Sequence, residues 1–493
     1  MRMIRPSREE AETIIRTGQY GVIPLSMELY SDSTTPIQIL KTLKKVSRHC
    51  YLLESAKADE KWGRYTFLGY QPQLEITCRD GRTTVKTSLA KQTRAEDSKD
   101  AIREILRENK SPVFPYLPSF TGGLVGYFSY DYVKYAEPTL QLTGTDEDGF
   151  QDVNLMLFDK VIVFDNLRQK MILIANMKTD GGITEYNRAV MELSNMASLI
   201  QHGEQAKIPT LQLKSDFLPL FQEEEYCRMV ERAQDYIHEG DMFQVVLSNR
   251  LEAEFEGSIL DVYRNLRTTN PSPYLFYFSG EDGEIAGASP ETLARLEDGK
   301  LYTFPLAGTR KRGATQEEDE ELVRELLSDE KELAEHNMLV DLGRNDIGRV
   351  SEIGSVKVEQ YLTIQKFSHV MHIGSTVSGK LKSDLDAVDA IDAILPAGTL
   401  SGAPKLRAME IIDELENNKR GIYGGAIGYL SFTGNMDTCI AIRLAFTKGN
   451  KLFIRSGAGI VADSVPEKEY RECIQKAKAV VNAVKTAEGG IGV

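Results

Sequence analysis

The sequence has little of what marks secreted, membrane-embedded or nucleic-acid-binding proteins. Only five cysteines occur in 493 residues: Cys50, Cys78, Cys227, Cys439 and Cys473. They are odd in number, scattered and without Cys-x-x-Cys spacing, which argues against a disulfide framework or a zinc cluster and for a reducing compartment. No apolar run approaches the ~20 residues that a membrane span requires. The amino terminus carries basic residues with no apolar stretch behind them, unlike a secretory signal. Positive charge is in deficit, with 59 Lys and Arg against 73 Asp and Glu and a net charge of −14. Binding phosphate backbones needs the opposite balance, so no nucleic-acid partner is expected. Neither a Gly-x-Gly-x-x-Gly run nor a P-loop is present. What remains is an acidic, soluble, cytoplasmic chain, 41% hydrophobic and 27% charged, long enough for two domains or one large one.

Periodicity places helices at 8–18, 36–46, 99–109, 183–202, 222–239, 258–267, 316–342, 384–393, 404–416 and 466–487. Strands are expected at 50–55, 63–69, 74–78, 243–248, 274–278, 283–287, 301–304, 426–432, 438–446 and 451–456, with two more between 154 and 177. The order is not a regular alternation, which favours an α+β fold with large, mostly antiparallel sheets. The polar stretch 203–222 divides the chain into residues 1–215 and 216–493. One internal likeness crosses that divide. Gly122-Gly123-Leu124-Val125-Gly126-Tyr127-Phe128-Ser129-Tyr130 aligns with Gly424-Gly425-Ala426-Ile427-Gly428-Tyr429-Leu430-Ser431-Phe432. The pattern predicts related sheet elements at corresponding places in the two halves.

Two helices present paired acids. Glu332, Glu335, Leu339 and Leu342 share one face of the first, which should end near Gly343. In the second, Ser464-Val465-Pro466-Glu467 has capping-box spacing, and Glu469, Glu472, Cys473 and Lys476 share a face. Two such faces meeting would gather four carboxylates, which requires a cation; hard oxygen ligands suit Mg²⁺. An exposed acidic helix start is the plainer alternative. Three loops rich in small residues (305–310, 396–405 and 455–460) have the composition of anion sites, although ordinary turn chemistry uses the same residues. Glu291 follows a strand in Ala288-Ser289-Pro290-Glu291, placed as a general acid if buried and otherwise an ordinary loop carboxylate. His369 and His372 are three residues apart, so in a strand they point to opposite faces and are poor co-ligands.

Taken together, these stretches resemble the chorismate-utilising enzyme family, and within it the synthase subunits of the anthranilate synthase branch. The segments GASPE (287–291), PLAGTR (305–310), KELAEHNMLVDLGRND (331–346), PAGTLSGAPK (396–405), YGGAIGY (423–429), IAIR (440–443), RSGAGIVADS (455–464) and EYREC (469–473) occur in the family's order. The resemblance implies two sheets packed as a sandwich of two subdomains with helices outside. It implies Mg²⁺ on Glu335 and Glu472, supported by Glu332 and Glu469. The two carboxylates of chorismate would be held by the metal, Tyr423, Arg443, the amides of Gly457, Ala458 and Gly459, and Lys476. Thr309 and Thr399 would line the pocket, Glu291 would protonate the departing C4 hydroxyl, and His372 would assist the loss of pyruvate.

Two positions discriminate within the family. Where isochorismate and salicylate synthases carry a water-activating lysine, this chain has Gln244, which favours ammonia as nucleophile. Where many aminodeoxychorismate synthases carry a lysine, this chain has Ala307, which cannot form a covalent bond to substrate. Leu53, Glu54 and Ser55 resemble a tryptophan-feedback motif; Asn270, Pro271, Ser272, Pro273, Tyr274, Leu275 and Phe276 resemble its other wall, with Cys439 nearby and Glu54 meeting the amino group of tryptophan. No glutaminase elbow is visible, so the resemblance implies a glutamine amidotransferase partner subunit in a heterotetramer.

Overall fold

The computed structural model describes residues 3–56, 63–87, 90–94, 97–366 and 370–491; His369 lies outside them. Two antiparallel sheets, of 14 and 12 strands, pack face to face, with helices on their outer faces. Strand alternation builds these layers. In Lys170–Lys178, Ile172 and Ile174 enter the core between the sheets. Met171, Leu173 and Ala175 of the same strand pack outward under helices Pro36–Val46 and Gly182–His202. Each such buried aliphatic side chain contributes about 1.5–3 kcal/mol.

The strand order reveals a duplication. From its centre outward, the larger sheet passes through Cys50–Glu54, Tyr65–Tyr70, Lys160–Asp165, Lys170–Lys178 and Val22–Tyr30 on one side. On the other it passes through Tyr274–Ser279, Glu284–Ser289, Leu444–Lys448, Lys451–Ile460 and Gln244–Glu256. The smaller sheet repeats the arrangement, Gly123–Phe128, Val153–Phe158 and Leu74–Arg79 mirrored by Ala426–Ser431, Met436–Ile440 and Thr292–Glu297. The likeness seen in the sequence lies at its centre, where the two copies pair and Gly126 stands opposite Gly428. A Cβ on Gly126 would sit 2.0 Å from the Asn154 carbonyl, and one on Gly428 2.0 Å from that of Asp437, so both positions require glycine. Both sheets cross the 203–222 divide, and the two halves interlock in one sandwich.

The halves differ by insertions. In the first, Arg82–Thr87 pairs with Lys91–Arg94 as a hairpin. In the second, the counterparts Lys300–Thr303 and Val370–Lys380 are separated by strand Leu306–Lys311, helices Gln316–Ser328 and Glu330–Val350, and strand Lys357–Lys366. This insertion carries Glu332 and Glu335.

Several boundaries depart from expectation. The helix expected over 316–342 is two, because Asp329 is extended (ψ 105°) and caps Glu330–Val350, accepting from the Lys331 and Glu332 amides. That second helix runs through Gly343 to Val350, its packing on the sheet outweighing the glycine. The strand expected over 438–446 is broken: Met436–Ile440 lies in the smaller sheet and Leu444–Lys448 in the larger, with Arg443 in the left-handed region at φ +52° between them. Residues 153–178 form three strands, not two, and 305–310 and 455–460, expected as loops, fall mostly within strands Leu306–Lys311 and Lys451–Ile460. Strands Lys357–Lys366 and Val370–Lys380, absent from the expected set, pair with each other at the sheet's edge. The capping box at Ser464 does not form: Val465 is the N-cap, and the Ser464 hydroxyl accepts from the Val461 amide.

Candidate functional site

Two of the places where the chain leaves one sheet for the other open on the same cleft. Glu291 follows Glu284–Ser289 of the larger sheet and precedes Thr292–Glu297 of the smaller; Arg443 sits at the reverse crossing. The cleft, of about 740 Å³, is lined by both residues, by helix Glu330–Val350 through Lys331, Glu332, Glu335 and Leu339, and by helix Pro466–Ala487 through Glu469, Glu472 and Lys476. Gln244, Ala307, Thr309, Thr399, Tyr423, Gly457 and Gly459 complete it. Most of the residues singled out for chemistry therefore face one space.

At its base, Thr399 Oγ1 donates to Glu291 Oε1 over 3.1 Å. Enclosure lifts the Glu291 carboxyl to about 7, because desolvation outweighs the Thr399 hydrogen bond and the nearby Arg443. The acid is thus substantially protonated at neutral pH. Arg443 makes no hydrogen bond or ion pair from its guanidinium to any described residue, and its side chain is exposed to the cleft. The Tyr423 hydroxyl is likewise unpartnered among the described residues. A Cβ on Gly457 would lie 3.0 Å from it, and one on Gly459 2.9 Å from the Gln244 amide. The strand Lys451–Ile460 thus brings bare backbone to the cleft.

The four acids share the rim without forming a closed cluster. Among the described residues no three His, Cys, Asp or Glu side chains are grouped closely enough to hold a metal. Glu332 pairs with Arg310 at 3.2 Å, and Arg310 also holds Asp329 at 2.8 Å and Glu325 at 3.0 Å. Glu472 pairs with Lys476 at 2.8 Å, both half exposed. Burial and then repulsion from Glu332 and, more weakly, Glu472 raise Glu335; burial and Glu472 raise Glu469. Mutually repelling hard-oxygen donors have the chemistry that suits a divalent cation, and Glu335 and Glu472 would be the ones to hold it.

Two expected contributors do not line the cleft. His372 stands behind Thr309, its Nδ1 3.0 Å from the Gly308 carbonyl and 3.1 Å from Thr309 Oγ1. A carbonyl only accepts, so Nδ1 carries the proton and Nε2 the lone pair; burial lowers the ring's pKa and favours the neutral form. Ala458 turns into the core under helices Glu223–His238 and Lys405–Glu416, as alternation between its two glycine neighbours requires. The sequence assigns Arg310 no role; its hold on three acids is visible only in the fold.

A second pocket opens between the sheets. Leu53, Glu54, Ser55, Pro273, Tyr274, Leu275, Phe276 and Cys439 line it, as do Phe67, Ser119, Arg295, Tyr429 and Asp437, which the sequence reading missed. Asn270, Pro271 and Ser272 do not: Asn270 caps a helix, and the Ser272 carbonyl accepts from the Ala56 amide. The Glu54 carboxylate is held by the Tyr263 hydroxyl and by Arg267 Nε at 2.8 Å. The carboxylate beside the pocket that faces Tyr274 is Asp437, which accepts from that hydroxyl at 2.8 Å.

This architecture is that of a known class. A family model described as chorismate binding enzyme matches residues 13–482, and the chain belongs to that family. It is 45% identical, over 98% of its length and 99% of the relative's, to anthranilate synthase component 1 of Acetivibrio thermocellus. It is also 45% identical to that of Aquifex aeolicus, over 95% and 96%. The crystal structure of anthranilate synthase component I from Streptococcus pneumoniae superposes with a TM-score of 0.77 at 39% identity, covering 92% of this chain and 98% of that one. The menaquinone-specific isochorismate synthase of Escherichia coli shares the fold, with a TM-score of 0.71 at 19% identity over 97% of this chain and all of that one. Among the described residues no helix is long and apolar enough to cross a membrane.

Proposed function

We propose that this chain is the synthase component of an anthranilate synthase, converting chorismate and ammonia to anthranilate, pyruvate and water. The observation that carries the reading is the pairing at the base of the cleft: a carboxyl lifted to about 7 beside a guanidinium with no partner among the described residues. A dianionic substrate with a poor leaving group needs both.

In the derived mechanism, Arg443, the Tyr423 hydroxyl and the backbone at Gly457 and Gly459 hold the substrate carboxylates. Glu291 donates its proton to the C4 hydroxyl, which leaves as water while ammonia adds at C2. A base then removes the C2 proton, and the enolpyruvyl group leaves with its bonding electrons and is protonated to pyruvate, restoring the aromatic ring. The His372 Nε2 lone pair, fixed by the Gly308 carbonyl, serves that second stage from behind Thr309. Mg²⁺, held by Glu335 and Glu472 with Glu332 and Glu469 around them, would neutralise the ring carboxylate when bound.

Gln244 has no basicity to activate water, which supports ammonia as the nucleophile. A glutamine amidotransferase subunit in a heterotetramer would supply it, since nothing in this chain offers a nucleophilic cysteine elbow. The pocket between the sheets would take tryptophan as feedback inhibitor, with Arg295 suited to its carboxylate and Asp437 to its amino group. The second reading is aminodeoxychorismate synthase; Ala307 in the cleft disfavours it. Incubation with chorismate, Mg²⁺ and ammonium decides: fluorescent anthranilate supports the proposal, and a non-aromatic amino product selects the alternative.

A further inference from the structure

We infer that the duplication has produced a second ligand pocket between the sheets, distinct from the one with Arg295, and that it takes a small aromatic amine without a carboxylate. The inference rests on the two pockets' geometry and is independent of what the first one binds.

The correspondence follows the strand pairing residue by residue. Leu52 stands opposite Tyr277, and Gly126 opposite Gly428, so a local two-fold passes through each pair. That rotation carries Leu53, Glu54 and Ser55 onto Phe278, Ser279 and Gly280, and Gly428 and Tyr429 onto Gly126 and Tyr127. Phe67, paired with Leu53, maps to Ile285, paired with Phe278. Asp437, paired with Tyr429, maps to Asn154, paired with Tyr127; Cys439, paired with Ile427, maps to Met156, paired with Val125. The first member of each equivalence lines the pocket that contains Arg295. The second lines another pocket, closed by Phe150, Ile422 and Thr447. Two cavities at symmetry-related places, built from equivalent residues, are a property of the repeated fold.

The chemistry of the twin differs. In the first pocket Asp437 faces a cation, Arg295 Nη1, at 3.6 Å. In the second, Asn154 Nδ2 instead donates to a carboxylate, Glu75 Oε1, at 3.1 Å. Glu281 and Asp282 add negative charge at the mouth; Asp282 has no hydrogen bond or ion pair among the described residues, while Glu281 pairs with Lys86 at 2.5 Å. The cation in the lining, Lys448, is turned to the Gly149 carbonyl, and burial lowers its pKa. Tyr127 is 8% exposed, and its hydroxyl makes no hydrogen bond with any described residue. Apolar walls from Phe150, Phe278, Met156 and Ile285, an unpartnered phenol and a surplus of acid select a flat apolar body with an ammonium group, and a carboxylate would be repelled.

Tryptamine is the probe. Calorimetric titration of the full chain should show saturable binding that tryptophan does not displace. Ile285→Phe, which fills the cavity, should abolish it, and Glu75→Gln should weaken it about tenfold, a change equivalent to ~1.4 kcal/mol. Ser119→Phe, which obstructs the pocket with Arg295, should leave it intact. Absence of binding at millimolar tryptamine would overturn the inference. So would displacement by tryptophan, or loss in Ser119→Phe with retention in Ile285→Phe and Glu75→Gln. Chorismate turnover in each variant reports that the fold is preserved.

Discussion

Glu291 and Arg443 face each other across the base of one cleft because each occupies a point where the chain passes between the two sheets, in opposite directions. Backbone at such a crossing leaves the ladder, so its side chains are free to turn into the space between elements. The equivalent crossings in the first half carry Gln73 and Asp159, which bond each other at 3.0 Å and line neither pocket. One half of the duplicated sandwich thus bears this pair, and the helix Glu330–Val350, inserted in that half alone, lines the cleft with its acids.

The lifted Glu291 carboxyl predicts a pH dependence. Its acid form is required, so kcat/KM for chorismate, measured at constant free ammonia, should fall as pH rises through about 7. Glu291→Gln should lose ~10²–10⁴-fold in kcat, the usual share of a general acid, and lose this limb of the profile. A profile flat between pH 6 and 9 would remove Glu291 from that role.

Among the described residues the Arg443 guanidinium has no hydrogen-bond or ion-pair partner, and the proposed function gives it the substrate carboxylate. Arg443→Met should raise KM for chorismate by about 100-fold, in line with ~3 kcal/mol for a charge-assisted contact. The melting temperature should stay the same or rise, since no internal ion pair is lost. A large drop in stability with unchanged KM would make the residue structural.

Glu335→Gln and Glu472→Gln should each abolish Mg²⁺-dependent turnover while circular dichroism stays native. Direct Mg²⁺ titration should show weakened binding in both. Near-normal rates in either would refute the metal assignment.

In the pocket with Arg295, Ser55→Phe should relieve tryptophan inhibition with little loss of activity, because it intrudes on the lining without touching the cleft. Unchanged inhibition would place the effector elsewhere.

Stability should be most sensitive at Glu416. Its buried carboxylate binds Arg420 at 2.6 Å and Arg455 at 2.7 Å, all three nearly inaccessible. Glu416→Gln should cost about 3–5 kcal/mol by leaving two buried cations undercompensated, read as a lower denaturant midpoint. A shift below ~1 kcal/mol would contradict this.

Much of this molecule is legible in its sequence, for identifiable reasons. Glu332 and Glu335 declare a shared face through helical spacing, and the glycine-rich repeat marks the centre of the smaller sheet. The break at Arg443 is not legible, because Ile440, Ala441 and Ile442 read as continuing strand and only the second sheet pulls the chain out of register. The pairing of Glu54 is likewise hidden: period-two alternation sets Leu53 inward and turns the Glu54 carboxylate the other way, but Tyr263 and Arg267, its partners, lie more than 200 residues away. Distant pairing also explains Arg295 and Asp437, which carry no motif.

The central claim is that this cleft adds ammonia to chorismate and expels pyruvate. The most direct measurement is mass-resolved product analysis after turnover with isotopically labelled ammonium. The account predicts the label in the amino group of anthranilate and one pyruvate per anthranilate. Labelled product that retains its enolpyruvyl group, or unlabelled isochorismate, would contradict it.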